Sequence, residues 1–184
     1  MNKAIFLDRD GTLIDEFGYL RMMEDLRFTP RAAEALRIFQ NLGYLNIVIT
    51  NQSAVARGLL SPKALRKIHN RLKAMAKEED SIIHDIFFCP HLPEGRVAPF
   101  NVDCDCRKPK TGLLHQAAAK HHLDLQQSIL IGDKKTDLEL GRNAMIRTVL
   151  VLTGYGKQTS EEWNEPIETF SNLYEFAKAM ERRL

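Results

Sequence analysis

Cysteine is scarce in this chain of 184 residues: there are three, an odd number, and all lie between positions 89 and 106. A disulfide framework is therefore excluded as the source of stability, and one short segment stands out as a compact site. No apolar run approaches the roughly 20 residues needed to cross a bilayer. Asp8 and Asp10 interrupt the first apolar stretch where a secretory signal would need an unbroken one. The expectation is a cytoplasmic protein with no membrane partner. There is a single tryptophan and a net charge of only +2, with no basic stripe interleaved with aromatics, which argues against nucleic acid as a partner. Any preference for anions must be local, as at Arg107-Lys108-Pro109-Lys110.

What is present is ordinary for a folded domain: 44% apolar and 27% charged residues. A chain of this length can bury roughly 70% of its unfolded surface. Apolar runs recur at Ile5 to Leu7, Leu45 to Ile49, Ile86 to Phe88, Ser128 to Ile131 and Thr148 to Leu152, and predict five strands. Helical spacing of apolar residues appears at 31–42, 61–78, 112–122 and 135–144, for example Ala32, Ala35, Leu36 and Phe39 in the first. Ser61-Pro62 reads as an N-cap followed by a first-turn proline, and Thr111 and Thr136 as the starts of later helices. A final amphipathic helix is expected over about 171–183, with Leu173, Phe176, Ala177 and Met180 on its apolar face. Alternating strands and helices imply an α/β fold with a doubly wound parallel sheet. With no repeat or linker, residues 1–184 read as one domain and a monomer. Two stretches, 13–30 and 89–110, break the alternation. Both leave the sheet edge where ligands bind in such folds, so both are candidates for function.

The first strand runs into Asp8-Arg9-Asp10-Gly11-Thr12. Successive strand residues point to opposite faces, so these two carboxylates can converge only where the strand ends and the chain turns. Gly11 permits that turn. The second strand ends in Thr50-Asn51-Gln52-Ser53, the fourth in Gly132-Asp133-Lys134 with Asp137 four residues after Asp133, and Arg107-Lys108 precede the third helix. This order, D-x-D-G-T, a strand ending in Thr, a Lys, then G-D-x-x-x-D, resembles the four motifs of the haloacid dehalogenase superfamily of aspartate-nucleophile phosphohydrolases.

The resemblance implies a Rossmann-like fold and a set of roles that suit phosphoryl transfer. A phosphomonoester repels nucleophiles, so its charge must be neutralised and an attacking oxygen held in line with the leaving oxygen. Asp8 is then the nucleophile that forms an aspartyl-phosphate, and Asp10 the general acid and later base, a role that calls for a raised pKa. Thr50 and Lys108 bind the phosphoryl oxygens. Mg²⁺ is expected on the side chains of Asp8 and Asp133 and the backbone carbonyl of Asp10, with Asp137 orienting Lys108 or a metal-bound water.

Cys89, His91, Cys104 and Cys106 form C-x-H-x12-C-x-C, three thiols and an imidazole in the proportions of a closed tetrahedral Zn²⁺ site. The alternative is buried free thiols beside an unrelated histidine. Four protein ligands leave no open position, so the expected zinc is structural, and it would brace the adjoining Arg107 and Lys108. A loop of this kind followed by C-D-C-R-K-P is similar to two phosphatase groups of the superfamily, those acting on heptose 1,7-bisphosphate and those acting on histidinol phosphate. The long His-to-Cys interval, Glu16-Phe17-Gly18-Tyr19, and Asn51-Gln52-Ser53-Ala54-Val55-Ala56-Arg57-Gly58 resemble the heptose group, in which Ala54 is commonly Gly. No large cap domain is inserted. The resemblance then implies that Glu16, Phe17, Gly18, Tyr19, Asn51, Gln52, Ser53, Arg57, Arg107 and Lys134 contact a phosphorylated sugar; for Arg57 and Lys134 the alternative is an ordinary surface charge.

Outside these motifs, His69, His84, His115, His121 and His122 are expected to be surface or helix-end residues. Trp163 is expected in local packing, and Arg182-Arg183 to complement a helix C-terminus. Histidinol-phosphate phosphatase is the nearest alternative activity. A polynucleotide 3′-phosphatase lacks its basic stripe. A phosphoacceptor signalling domain would carry its acceptor on the third strand, which here ends in Cys89, and a noncatalytic zinc-bound interaction module would have no use for so complete a set of catalytic groups.

Overall fold

The computed structural model describes residues 1–20 and 22–182. The elements follow as β1 (Lys3–Leu7), α1 (Ala32–Asn41), β2 (Tyr44–Asn51), α2 (Pro62–Glu78), β3 (Asp85–Cys89), α3 (Gly112–His121), β4 (Ile129–Gly132), α4 (Lys135–Ala144), β5 (Arg147–Val151), α5 (Gly156–Glu162), β6 (Glu168–Phe170) and α6 (Leu173–Glu181). All six strands are parallel, in the order β3-β2-β1-β4-β5-β6.

The two faces of the sheet carry separate cores, and strand alternation decides which residue joins which. Ile5, Leu7, Val48 and Ile131 face α1, α2 and α6, packing with Phe39, Leu65, Leu72 and Phe176. Ala4, Phe6, Ile47, Ile49 and Leu130 face α3 and α4, packing with Leu113, Leu114 and Leu140. Phe39 and Phe176 meet with ring centroids 5.9 Å apart, joining α1 to α6. Burying a side chain of this size contributes about 1.5–3 kcal/mol.

Two elements depart from the expectation. β6 is a sixth strand, too short and too polar to show periodicity: three residues at the sheet edge, with Thr169 exposed. α5, with the sequence GKQTSEE, has no apolar stripe; among its residues only Gly156 and Thr159 are buried. Ser61 caps α2 as expected, its Oγ accepting the Ala64 N–H at 3.1 Å. Thr111 makes no side-chain cap, and Thr136 lies inside α4, whose start is held by the Asp137 carboxylate accepting the Lys134 N–H at 3.1 Å. α6 ends at Glu181; the expected end at residue 183, and with it Arg183, lies outside the described residues.

β1 is the point from which connections run in opposite directions across the sheet, and its carboxyl end opens the crevice where ligands bind in such folds. After β1 the chain folds back through bridges between Asp10 and Ile14 and between Ile14 and Phe28. After β3 it makes the cysteine and histidine loop. Among the described residues, no cap domain is inserted at either place, and no helix is long and apolar enough to cross a membrane.

Candidate active site

Four strand ends deliver the site. Asp8 follows β1 directly, its N–H donating to the Ile131 carbonyl of β4 at 3.0 Å. Asp133 follows β4, Thr50 lies near the end of β2, and Lys108 arrives from the loop after β3. Asp8, Thr50, Lys108, Asp133 and Asp137 are all buried.

Lys108 is the hub. Its Nζ donates to Asp8 Oδ1 at 2.7 Å, to Asp137 Oδ1 at 2.6 Å and to the Ile49 carbonyl at 3.1 Å. An ammonium has three protons, and these contacts use all of them. Burial works against its charge, but Asp137 and Asp8 outweigh that and raise its pKa. For Asp8 burial opposes ionisation too; the charges of Lys108 and Lys134 overcome it and hold the carboxyl below its ordinary range. Asp8 is thus kept as a carboxylate in a buried setting, the state a nucleophile needs.

Asp133 is treated oppositely. Burial, then the neighbouring charge of Asp8, pushes its pKa up to about 8. Thr12 Oγ1 donates to its Oδ1 at 3.1 Å and the Tyr155 N–H to its Oδ2 at 2.9 Å. A Cβ on Gly11 would stand 2.2 Å from Asp133 Oδ2, and one on Gly154 2.3 Å, so glycine is required at both places for the chain to pass this carboxylate. Asp137 is likewise raised, first by burial. Asp8, Asp133 and Asp137 bring one carboxylate oxygen each within 4.8 Å of one another. Three buried acids offering only oxygen ligands, two of them with raised pKa values despite the neighbouring lysine charges, fit a hard divalent cation.

The carboxylate of Asp10 turns away from this cluster. It accepts from Arg9, with Nη2 2.8 Å from Oδ1, and from Gln52 Nε2 at 2.9 Å from Oδ2. Its backbone carbonyl, the group expected at the metal, lies 3.4 Å from Lys134 Nζ. Gln52 also donates to Thr50 Oγ1 at 2.9 Å.

A cavity of about 260 Å³ opens over Asp8 and Asp10 and is lined among others by Gly18, Tyr19, Asn51, Gln52, Ser53, Arg107 and Lys134. Three expected sugar contacts fall elsewhere. Phe17 packs against the core with the Arg27 guanidinium over its ring. Glu16 is turned to Lys134, which it meets at 2.6 Å, and to the Gly18 N–H at 2.7 Å. Arg57 is exposed, 5.9 Å from the Tyr19 ring centroid, and does not line the cavity. Asn51 lines it, yet its amide donates to the Lys108 carbonyl and accepts the Lys108 N–H, each at 3.0 Å. Ala54 needs no glycine, since it is not among the positions with positive φ.

Cys89, His91, Cys104 and Cys106 converge beside Arg107. The Sγ atoms of Cys89 and Cys104 are 3.5 Å apart, those of Cys104 and Cys106 3.2 Å, and His91 Nδ1 is 3.4 Å from Cys106 and 3.8 Å from Cys89. Bonds of about 2.0–2.3 Å to a tetrahedral centre give edges of roughly 3.3–3.8 Å; three of these separations fall in that range and the Cys104–Cys106 one is slightly shorter, so the four groups come close to the spacing of a zinc site. The three cysteines are free thiols. Burial raises the thiols of Cys89 and Cys106. Arg107 Nη1 donates to the His91 carbonyl at 3.1 Å, tying this loop to the cavity wall.

Two buried residues at the site were given no functional role in the sequence. Arg9 is 1% exposed and holds Asp10, and His69, expected at a surface, is 5% exposed and faces Arg9. His69 shares the buried stripe of α2 with Leu65, Ile68, Leu72 and Ala76, and that spacing was the available signal. His84 and His121 are partly buried beside β3, where His84 Nδ1 accepts the Asn46 N–H at 3.0 Å and His121 pairs with Asp85 at 2.9 Å. Trp163 packs under the Arg142 guanidinium.

A family model described as HAD-hydrolase-like matches residues 105–176. The chain is 41% identical over 180 residues to D-glycero-alpha-D-manno-heptose-1,7-bisphosphate 7-phosphatase of Photorhabdus laumondii, covering 97% of each chain. It is 42% identical over 155 residues to the D-glycero-beta-D-manno-heptose-1,7-bisphosphate 7-phosphatase of Haemophilus influenzae, covering 84% of each. The crystal structure of D,D-heptose 1,7-bisphosphate phosphatase from B. bronchiseptica, complexed with magnesium and phosphate, superposes with a TM-score of 0.89 at 26% identity over 99% of each chain. With this fold, these strand-end residues and relatives matched along nearly its whole length, the chain belongs to the heptose-1,7-bisphosphate 7-phosphatase family of haloacid dehalogenase-like hydrolases.

Proposed function

We propose that this protein removes the 7-phosphate of D-glycero-D-manno-heptose 1,7-bisphosphate in a Mg²⁺-dependent reaction, within the synthesis of nucleotide-activated heptose. The observation that carries the reading is the state of Asp8: a buried carboxylate at the foot of the cavity, kept ionised by Lys108. In this reading an Asp8 oxygen attacks the 7-phosphorus and the bond to the sugar oxygen breaks. Asp10 gives that oxygen a proton. Asp10 then takes a proton from water, which attacks the aspartyl-phosphate; the phosphorus–Asp8 bond breaks and phosphate leaves. Lys108 and Thr50 stabilise the phosphoryl charge. Asp8, Asp133 and the Asp10 carbonyl would hold Mg²⁺, which would supply charge neutralisation at the phosphoryl oxygens. Asp137 keeps Lys108 aimed at Asp8, and Arg107 and Lys134, on the cavity wall, bind the remainder of the anionic sugar.

The cysteine and histidine cluster holds a structural Zn²⁺ that fixes Arg107 and Lys108. In the same reading residues 1–184 act as one domain, monomeric and cytoplasmic; the one continuous sheet supports the single domain.

The deciding assay is Mg²⁺-dependent phosphate release from both anomers of the heptose bisphosphate and from histidinol phosphate, with wild type and Asp8→Asn. Turnover of a heptose anomer, abolished in Asp8→Asn, is expected. Preference for histidinol phosphate would overturn the substrate, and unaltered turnover by Asp8→Asn would overturn the mechanism.

A further inference from the structure

Arg9, lying between the two aspartates that end β1, heads the fully buried side chains by size. A guanidinium cannot shed its charge, so burial obliges it to find acceptors. On one side Nε lies 3.1 Å from each oxygen of Asp10 and Nη2 2.8 Å from Oδ1. On the other, Nη1 lies 3.2 Å from Nε2 of His69, on α2. Arginine only donates, so Nε2 must carry the lone pair and His69 must be a neutral imidazole with its proton on Nδ1. The ring is set by an edge contact with Phe88 of β3, centroids 5.1 Å apart.

The Arg9–Asp10 contact joins chain neighbours, and by itself it leaves a long side chain free to turn. The second anchor, sixty residues away in sequence on a packed helix, removes that freedom. Gln52 secures the other oxygen of Asp10. We propose that His69 is a positioning residue for the reaction: acting through Arg9, it fixes the carboxylate of Asp10 where a proton is passed to the leaving oxygen and taken from water. The proposal rests on the reading of Asp10 as acid and base. Misplacing such a group by about 1 Å can cost on the order of 100-fold in rate.

The test compares full-length wild type, His69→Leu, His69→Gln and Asp10→Asn in steady-state hydrolysis of heptose bisphosphate at saturating Mg²⁺, each with a thermal melt. His69→Leu should lower kcat by about 10- to 100-fold with KM within about threefold. His69→Gln, whose Oε1 can accept from Nη1, should recover most of that loss. A role in folding alone would lower the melting temperature of His69→Leu and leave kcat per folded molecule within twofold; that result, or a Gln variant no better than Leu, overturns the proposal. If His69→Leu does not fold, Arg9→Lys substitutes for it. A lysine reaches Asp10 but cannot bridge both partners, so a tenfold loss of kcat is expected and an unchanged kcat is contrary. Asp10→Asn separates the two ideas: an active Asp10→Asn removes the acid–base reading itself, whereas an inactive one beside a fully active His69→Leu removes only the role of His69.

Discussion

Asn51 and Lys108, fifty-seven positions apart, exchange two hydrogen bonds of 3.0 Å between the asparagine amide and the lysine backbone. The side chain at the end of β2 does for Lys108 what a neighbouring strand would do, pinning the backbone so that Nζ reaches Asp8, Asp137 and the Ile49 carbonyl together. Asn51→Leu removes both bonds and leaves an N–H and a C=O without partners. The cost should be about 2 kcal/mol, seen as a melting temperature lower by several degrees, with kcat reduced at least tenfold because Lys108 is no longer aimed. Wild-type kcat in this variant would show that the lysine is held by its ion pairs alone.

Gly11 has φ +86°, and a Cβ there would collide with Asp133 Oδ2. Gly11→Ala therefore suffers both a strained backbone and displacement of a carboxylate from the acidic cluster. A stability loss of about 1–3 kcal/mol is expected, together with weaker Mg²⁺ binding in calorimetry and a kcat down by about 100-fold. An alanine variant with wild-type Mg²⁺ affinity would contradict the close approach.

His69 carries a pH dependence of known sign. Burial first, then the charges of Arg9 and Lys73, lower its pKa from 6.5 to about 3. Above pH 6.5 neither folded nor unfolded protein protonates it, so its full contribution to stability is present. As pH falls from 6.5 toward 3 the unfolded chain takes up a proton that the folded one refuses, and stability falls by on the order of a few kcal/mol. Denaturant titrations of wild type and His69→Gln from pH 7 to pH 4.5 should show the wild type losing stability faster. Parallel curves would mean that the imidazole titrates alike in both states.

Removal of the zinc proposed for the cysteine and histidine cluster should act on the active site from outside it. The Arg107 guanidinium is tied to the His91 carbonyl, and Lys108 follows two residues after Cys106. Chelation to below one-tenth zinc per chain, verified by elemental analysis, should lower activity at least tenfold, with recovery on adding Zn²⁺ and none on adding Mg²⁺. Full activity in verified zinc-free protein would confine the loop to some other role.

The sequence by itself determined the parallel α/β plan, because apolar runs bounded by turn residues and helical stripes such as Ala32 to Phe39 report burial directly, residue by residue. It also determined the chemical inventory: paired aspartates at a strand end, a lysine beside a cysteine cluster, an aspartate after Gly132. The short polar elements β6 and α5 were not legible, since three edge residues and the segment GKQTSEE carry no period that burial would impose. Only the tertiary structure decided which polar groups meet. That Asn51 holds the Lys108 backbone, that Glu16 pairs with Lys134, and that the buried His69 accepts from an arginine all depend on contacts between segments far apart in the chain. Periodicity tells which side of an element is buried, but a hydrogen bond is decided by the partner that the fold brings within about 3 Å, and that partner leaves no mark on local sequence.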